Sequence, residues 1–325
     1  MKVVQKENPE IDRLENFPVT FFAVVMGMLG LTLASHAAET AFGASSMVSI
    51  VVLAVSIVIM IVISALYAAK AFARRGAVSE EWAHPVKIAF FPTISISVLL
   101  LATALLPHHR ELAMVLWVVG AVGQGALTLS VVANWIGHRT FQTIHIGPAW
   151  FIPAVGNVVV PVAGAALGFT EISWLFFSAG LVFWIILLTL VMNRLIFHDP
   201  LPARLLPTLV ILIAPPAVAF VAYMRLTSDM DAFARILLNS GYVFAAVVLT
   251  QSGKFARLPF ALSWWALSFP VAALTIASFS YAHETGSVAH QFVAGLLMAA
   301  LVAIVAVLLY RTGRAIAARK ICLPE

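Results

Sequence analysis

The sequence predicts an all-α integral membrane protein with ten transmembrane helices. Three observations carry that reading. Of 325 residues, 62% are hydrophobic and only 10% are charged, with a mean hydropathy of +1.02; soluble domains of this size are not so apolar. Ten apolar runs of roughly 18–25 residues each match a hydrocarbon core about 30 Å thick. The basic residues are also segregated between alternate connections.

The runs cover 18–36, 48–70, 86–106, 112–136, 148–168, 172–192, 206–226, 231–251, 258–280 and 288–311. The first opens with "FPVT" behind a tail, "KENPEIDRLEN", that mixes acids and bases. That tail reads as leading into a retained span rather than a cleaved signal peptide. The third is entered by "HPVK" and contains Pro92, and the fifth opens with "GPAW" and contains Pro153 and Pro161. The seventh opens with "LPTL" and contains Pro215 and Pro216, and the ninth opens with "LPFA" and contains Pro270. The interiors of the even spans contain no proline.

Opening prolines suit the first helical position, where the missing N–H has no partner in any case. Interior prolines bend a helix and free carbonyls that lipid cannot satisfy, so such helices belong beside protein or a water-filled cavity. Five helical hairpins follow, each with one bent inner helix and one straight outer helix, around a central pore. The bland alternative is that membrane helices carry proline more often than soluble ones. The chain divides into a cytoplasmic N-terminal tail (1–17), a ten-span unit (18–311) and a cytoplasmic C-terminal tail (312–325).

Of the nineteen Lys and Arg residues, sixteen lie in the two tails and the even-numbered connections and three in the odd-numbered ones. By the positive-inside rule both termini are cytoplasmic, in an inner or plasma membrane. The net charge of +5 reflects this distribution and is not a nucleic-acid footprint.

No Asp, Glu, Lys or Arg is placed deep in a span by these boundaries, which argues against proton relays, buried-carboxylate carriers and acidic cation filters. What remains is a path lined by apolar groups, hydroxyls and amides. Ser95, Ser97, Gln124, Thr128, Asn157, Asn239 and Ser268 are polar candidates for it, each weighed against an interhelical hydrogen bond. Lys87, Arg204, Lys254 and Arg257 lie near the inner-helix entries and would concentrate anions at a basic mouth; as positive-inside anchors they would lie in the same places. There is no phosphate-binding loop, GxGxxG or nucleophile elbow, so an enzyme is not expected, nor a cofactor. Cys322 is the only cysteine, which excludes an intrachain disulfide and a cysteine metal cluster. His108, His109 and Glu111 could hold a metal, but adjacent histidines do not share a helix face, and no metal site is expected.

"FPVTFFAVVMGMLGL", "HPVK", "LIAPPAVAF" and above all "SWWALSFPVAAL" resemble the tellurite-resistance/dicarboxylate transporter family, to which the plant slow anion channels belong. The resemblance covers nearly the whole chain. It implies ten helices in five hairpins, a homotrimer with a five-helix pore in each subunit, and a span-nine phenylalanine that occludes the pore, here Phe269. Where the family often has glycine in the first span, this chain reads Ala23, a pore-lining candidate. Phe269 is ten residues past Pro259, about 15 Å along a helix and so near the midplane. Pro92, Pro153, Pro215, Pro216 and Pro270 would be the pore kinks. The expected function is a passive channel for small monovalent anions gated by Phe269. The alternative is a carrier or exporter of C4-dicarboxylate, sulfite or tellurite-related oxyanions, with or without proton linkage.

Overall fold

The computed structural model describes residues 12–137, 141–255 and 258–323, and among them there is no strand. Ten helical spans are long and apolar enough to cross a membrane: Val19–Phe42, Met47–Ala73, Lys87–Leu105, Arg110–Gly137, Pro148–Leu167, Thr170–Phe197, Ala203–Thr227, Ala232–Leu249, Leu262–Thr285 and Val288–Ala317. Several run longer than hydropathy alone suggests. The first continues through "SHAAET" to Phe42 and stops at Gly43, whose φ of 63° is a conformation glycine adopts without a Cβ clash. The sixth continues to Phe197, which places Arg194 inside the span. A short helix, Arg75–Ala83, fills the second connection.

Odd and even spans differ in burial. Between 56% and 83% of the residues in the most apolar windows of the odd spans are buried, against 22–33% in the even ones. Each odd span packs on the even span that follows it. The odd spans also touch one another in the cyclic order one, three, five, seven, nine and back to one. The even spans leave long apolar rows outward, such as Val51, Val55, Val58 and Val62 on the second, the surface that lipid requires.

Inner spans change helix type along their length, and the fifth does so twice, returning to a 3-10 turn at Gly156–Val159 before its last α-helix, Val160–Leu167. Each begins as a 3-10 helix: Val19–Phe21, Lys87–Phe90, Pro148–Trp150, Ala203–Ile213 and Leu262–Leu267. An α-helix follows. Pro92 immediately precedes the α-helix Thr93–Leu105, Pro153 is the third residue of Phe151–Val155, Pro215 and Pro216 are the second and third of Ala214–Thr227, and Pro270 is the third of Ser268–Thr285. Each proline thus sits at the start of a new α-helix rather than inside a continuous one. In the first turn its missing N–H costs no hydrogen bond.

The first and ninth spans approach closely. A Cβ on Gly27 would fall 2.2 Å from Ser268 Oγ, and one on Gly30 would fall 3.0 Å from Ala272 Cβ. No larger residue fits at Gly27 without separating the two helices.

Candidate functional site

The ring of odd spans encloses a cavity, with about 650 Å³ of unfilled space including its openings. Every odd span contributes to its wall: Ala23 from the first, Ile96 from the third, Gly156 from the fifth, Pro215 from the seventh and Phe269 from the ninth. The wall is almost wholly apolar; Thr93 also lines it, but its hydroxyl donates to the Phe90 carbonyl at 2.5 Å. Ala23 and Phe269 are half-buried, while neighbouring Val24, Val25, Ser268 and Pro270 are buried. Phe269 is thus a half-buried member of the cavity wall.

The segment before Phe269 is held rigidly. Trp265, one turn earlier and also on the cavity wall, is almost fully buried and donates its indole N–H to Thr312 Oγ1 of the tenth span at 3.0 Å. Ser268 Oγ donates to the Trp265 carbonyl at 2.6 Å. The Arg311 guanidinium lies 5.7 Å from the Trp264 ring centre. These contacts tie the 3-10 to α junction of the ninth span to the end of the tenth.

The structure brings Ala23, Pro215, Phe269 and Pro270 together on the cavity wall; Pro92, Pro153 and Pro216 are buried just outside it. Lys87, Arg204 and Lys254 lie at or just before the starts of the third, seventh and ninth spans and not on the wall. Arg204 and Lys254 are exposed and Lys87 is half-buried. Ser263 Oγ donates to the Arg204 carbonyl, joining the entries of the ninth and seventh spans. Arg257 lies outside the described residues.

Most of the polar candidates join helices. Ser95 Oγ donates to Gln124 Oε1 at 2.8 Å, and Gln124 Nε2 and Thr128 Oγ1 reach the Pro153 carbonyl at 3.2 and 2.7 Å. The 3-10 segment Gly156–Val159 follows Pro153. Asn239 points outward from the eighth span and bonds only within its own helix, to the Arg235 carbonyl.

Sequence reading missed the buried ionic groups. Lys70 and Glu81 pair at 2.8 Å; Tyr67 donates to Glu81 Oε2, and Glu81 Oε1 accepts the Val19 N–H at the start of the first span. Lys70 also donates to the Phe17 carbonyl. Glu39 Oε1 accepts the N–H groups of Val48 and Ser49 at the start of the second span. No local signal marks these partners; span ends set at 36 and 70 left Glu39 and Lys70 looking like boundary residues.

A sequence profile of the voltage-dependent anion channel family matches residues 16–313, nearly the whole ten-span unit. The chain belongs to this family. It is similar to an S-type anion channel of Arabidopsis thaliana, 27% identical over 94% of this chain and 61% of the plant protein. It thus spans less than two thirds of that relative's length. It is also similar to an uncharacterized transporter of Methanocaldococcus jannaschii, 26% identical over 83% of this chain and 84% of that protein. A tellurite resistance protein TehA homolog of Haemophilus influenzae is 28% identical over 82% of this chain and 81% of its own length.

Proposed function

We propose that this protein is a passive anion channel whose path runs along the axis of the five odd spans and is gated by Phe269. The observation that carries the reading is the cavity itself, to which every odd span contributes and whose wall includes the half-buried Phe269. An apolar constriction holds no ion strongly and closes by steric block and dewetting. Pro270 serves by starting a fresh α-helix at the level of the gate, which lets Phe269 face the axis. Lys87, Arg204, Lys254 and Arg257 raise the anion concentration at the entrance. The segregation of basic residues and the family membership support cytoplasmic termini, a plasma or inner membrane and a homotrimer with one path per subunit.

The test is reconstitution of the purified protein in liposomes with a panel of anions, with and without a proton gradient. The channel reading expects unitary currents and, because the wall carries no fixed charge, nitrate passing more readily than chloride and sulfate poorly. A reversal potential that follows sodium or potassium contradicts it. Saturating flux that requires a proton gradient instead establishes the carrier of dicarboxylate, sulfite or a tellurite-related oxyanion.

A further inference from the structure

We propose that Arg194, near the end of the sixth span, is a binding site for an oxyanion separate from the axial cavity. Its side chain is 1% exposed. Nη1 donates to the Asp199 backbone carbonyl. Nε and Nη2, the two N–H donors on one edge of the guanidinium, are buried without an acceptor. The ion pairs among the described residues are Lys70–Glu81 and Arg74–Asp12, so no carboxylate of these residues neutralises Arg194.

Arginine is in effect a permanent cation. Burying a charge without a counter-charge costs several kcal/mol, so an uncompensated guanidinium calls for a partner from outside the described chain. The unpaired edge specifies that partner. Nε–H and Nη2–H point in parallel and match two oxygens of one carboxylate, sulfate or phosphate group.

The start of the fifth span, on which the sixth packs, carries further unpartnered donors. Arg194 follows Val191 by one turn on the buried face of the sixth span, the span that packs on the fifth. Trp135, at the end of the fourth span, and Trp150, at the start of the fifth, stack at 4.4 Å, and both indole N–H groups are also buried without acceptors. The ends of the fourth and sixth spans and the start of the fifth therefore hold four orphan donors and no orphan acceptor among the described residues. Arg194 is three residues from the end of its helix at Phe197, about 5 Å along the axis. That depth places it near the level of lipid phosphates, so the oxyanion can be a phospholipid headgroup or a free anion. The inference does not depend on whether the axial cavity conducts.

The experiment uses the full chain in detergent, stripped of lipid and held in chloride. Thermal unfolding is followed while inorganic phosphate replaces chloride at constant ionic strength, and in a second arm while phosphatidylglycerol is added back with phosphatidylcholine as control. Wild type, Arg194→Gln and Arg194→Lys are compared. In chloride, Arg194→Gln is expected to melt at or above wild type, because it removes an uncompensated charge. Wild type is expected to gain several degrees from phosphate if the source is a free oxyanion, or from phosphatidylglycerol alone if it is a headgroup. Arg194→Lys, which keeps the charge and loses the fork, should lose most of that gain. A wild type indifferent to both additions overturns the proposal, whatever the variants do. So does a gain that all three proteins share.

Discussion

Lys70 Nζ lies 2.8 Å from Glu81 Oε2, and both side chains are at most 6% exposed. Glu81 also accepts the first N–H of the first span, so this pair clamps the second connection onto the entry of an inner helix. Breaking a buried pair from one side strands the other charge, at about 3–5 kcal/mol. Glu81→Ala and Lys70→Met should each lower the melting temperature of the detergent-solubilised protein strongly. The double substitution Lys70→Met with Glu81→Leu should recover much of the loss. Additive losses in this cycle would show that the two residues act separately.

Thr128 tests whether the buried polar residues bind helices together or line the path. Its hydroxyl is shared among the Gln124 and Pro153 carbonyls and Asn157 Oδ1. Thr128→Val should cost about 1–3 kcal/mol, the penalty for under-satisfied buried acceptors, and leave relative anion permeabilities unchanged. A changed permeability order at unchanged stability would move Thr128 to the path.

Cys322 reports both topology and the packing of the C-terminal tail. Burial pushes its thiol above the usual value of 9.0, partly opposed by the positive charges of Arg13 and Lys70. The thiolate is the reactive form, so maleimide labelling should be slower at neutral pH than for a free thiol and should accelerate only at higher pH. An impermeant maleimide should label after permeabilisation and not in intact cells. Labelling of intact cells would place the C-terminus outside.

The spans, their number and the inner–outer alternation were legible because hydropathy and proline placement are local properties of a membrane helix. As positions on the cavity wall, Phe269 was legible through the proline pattern together with the family resemblance, and Ala23 through the resemblance alone. Less was visible where function depends on pairing between distant segments. Lys70 and Glu81 meet only because the Arg75–Ala83 helix folds back, and Thr312 reaches Trp265 only because the tenth span runs back along the ninth. Arg194 was hidden by a boundary: a span ended at residue 192 turns a buried guanidinium into an ordinary basic residue of a connection. The prolines mark the buried spans, but their position at the start of a new α-helix depends on the preceding 3-10 segment, which hydropathy does not reveal.

The central claim is that the Phe269 ring closes the axial path. The most direct measurement is the current carried by Phe269→Ala against wild type at matched surface expression, with Phe279→Ala as control. Phe279 is 2% exposed and packs edge-on against Phe42 at 5.8 Å, away from the cavity wall. Its truncation should cost about 3–5 kcal/mol without opening the path. Phe269→Ala should raise anion current severalfold with the fold intact, and Phe269→Leu should stay closer to wild type because a bulky apolar side chain still constricts and dewets the path. Equal currents from wild type and Phe269→Ala, or lower expression with no gain in current, would contradict the assignment of Phe269 as the gate.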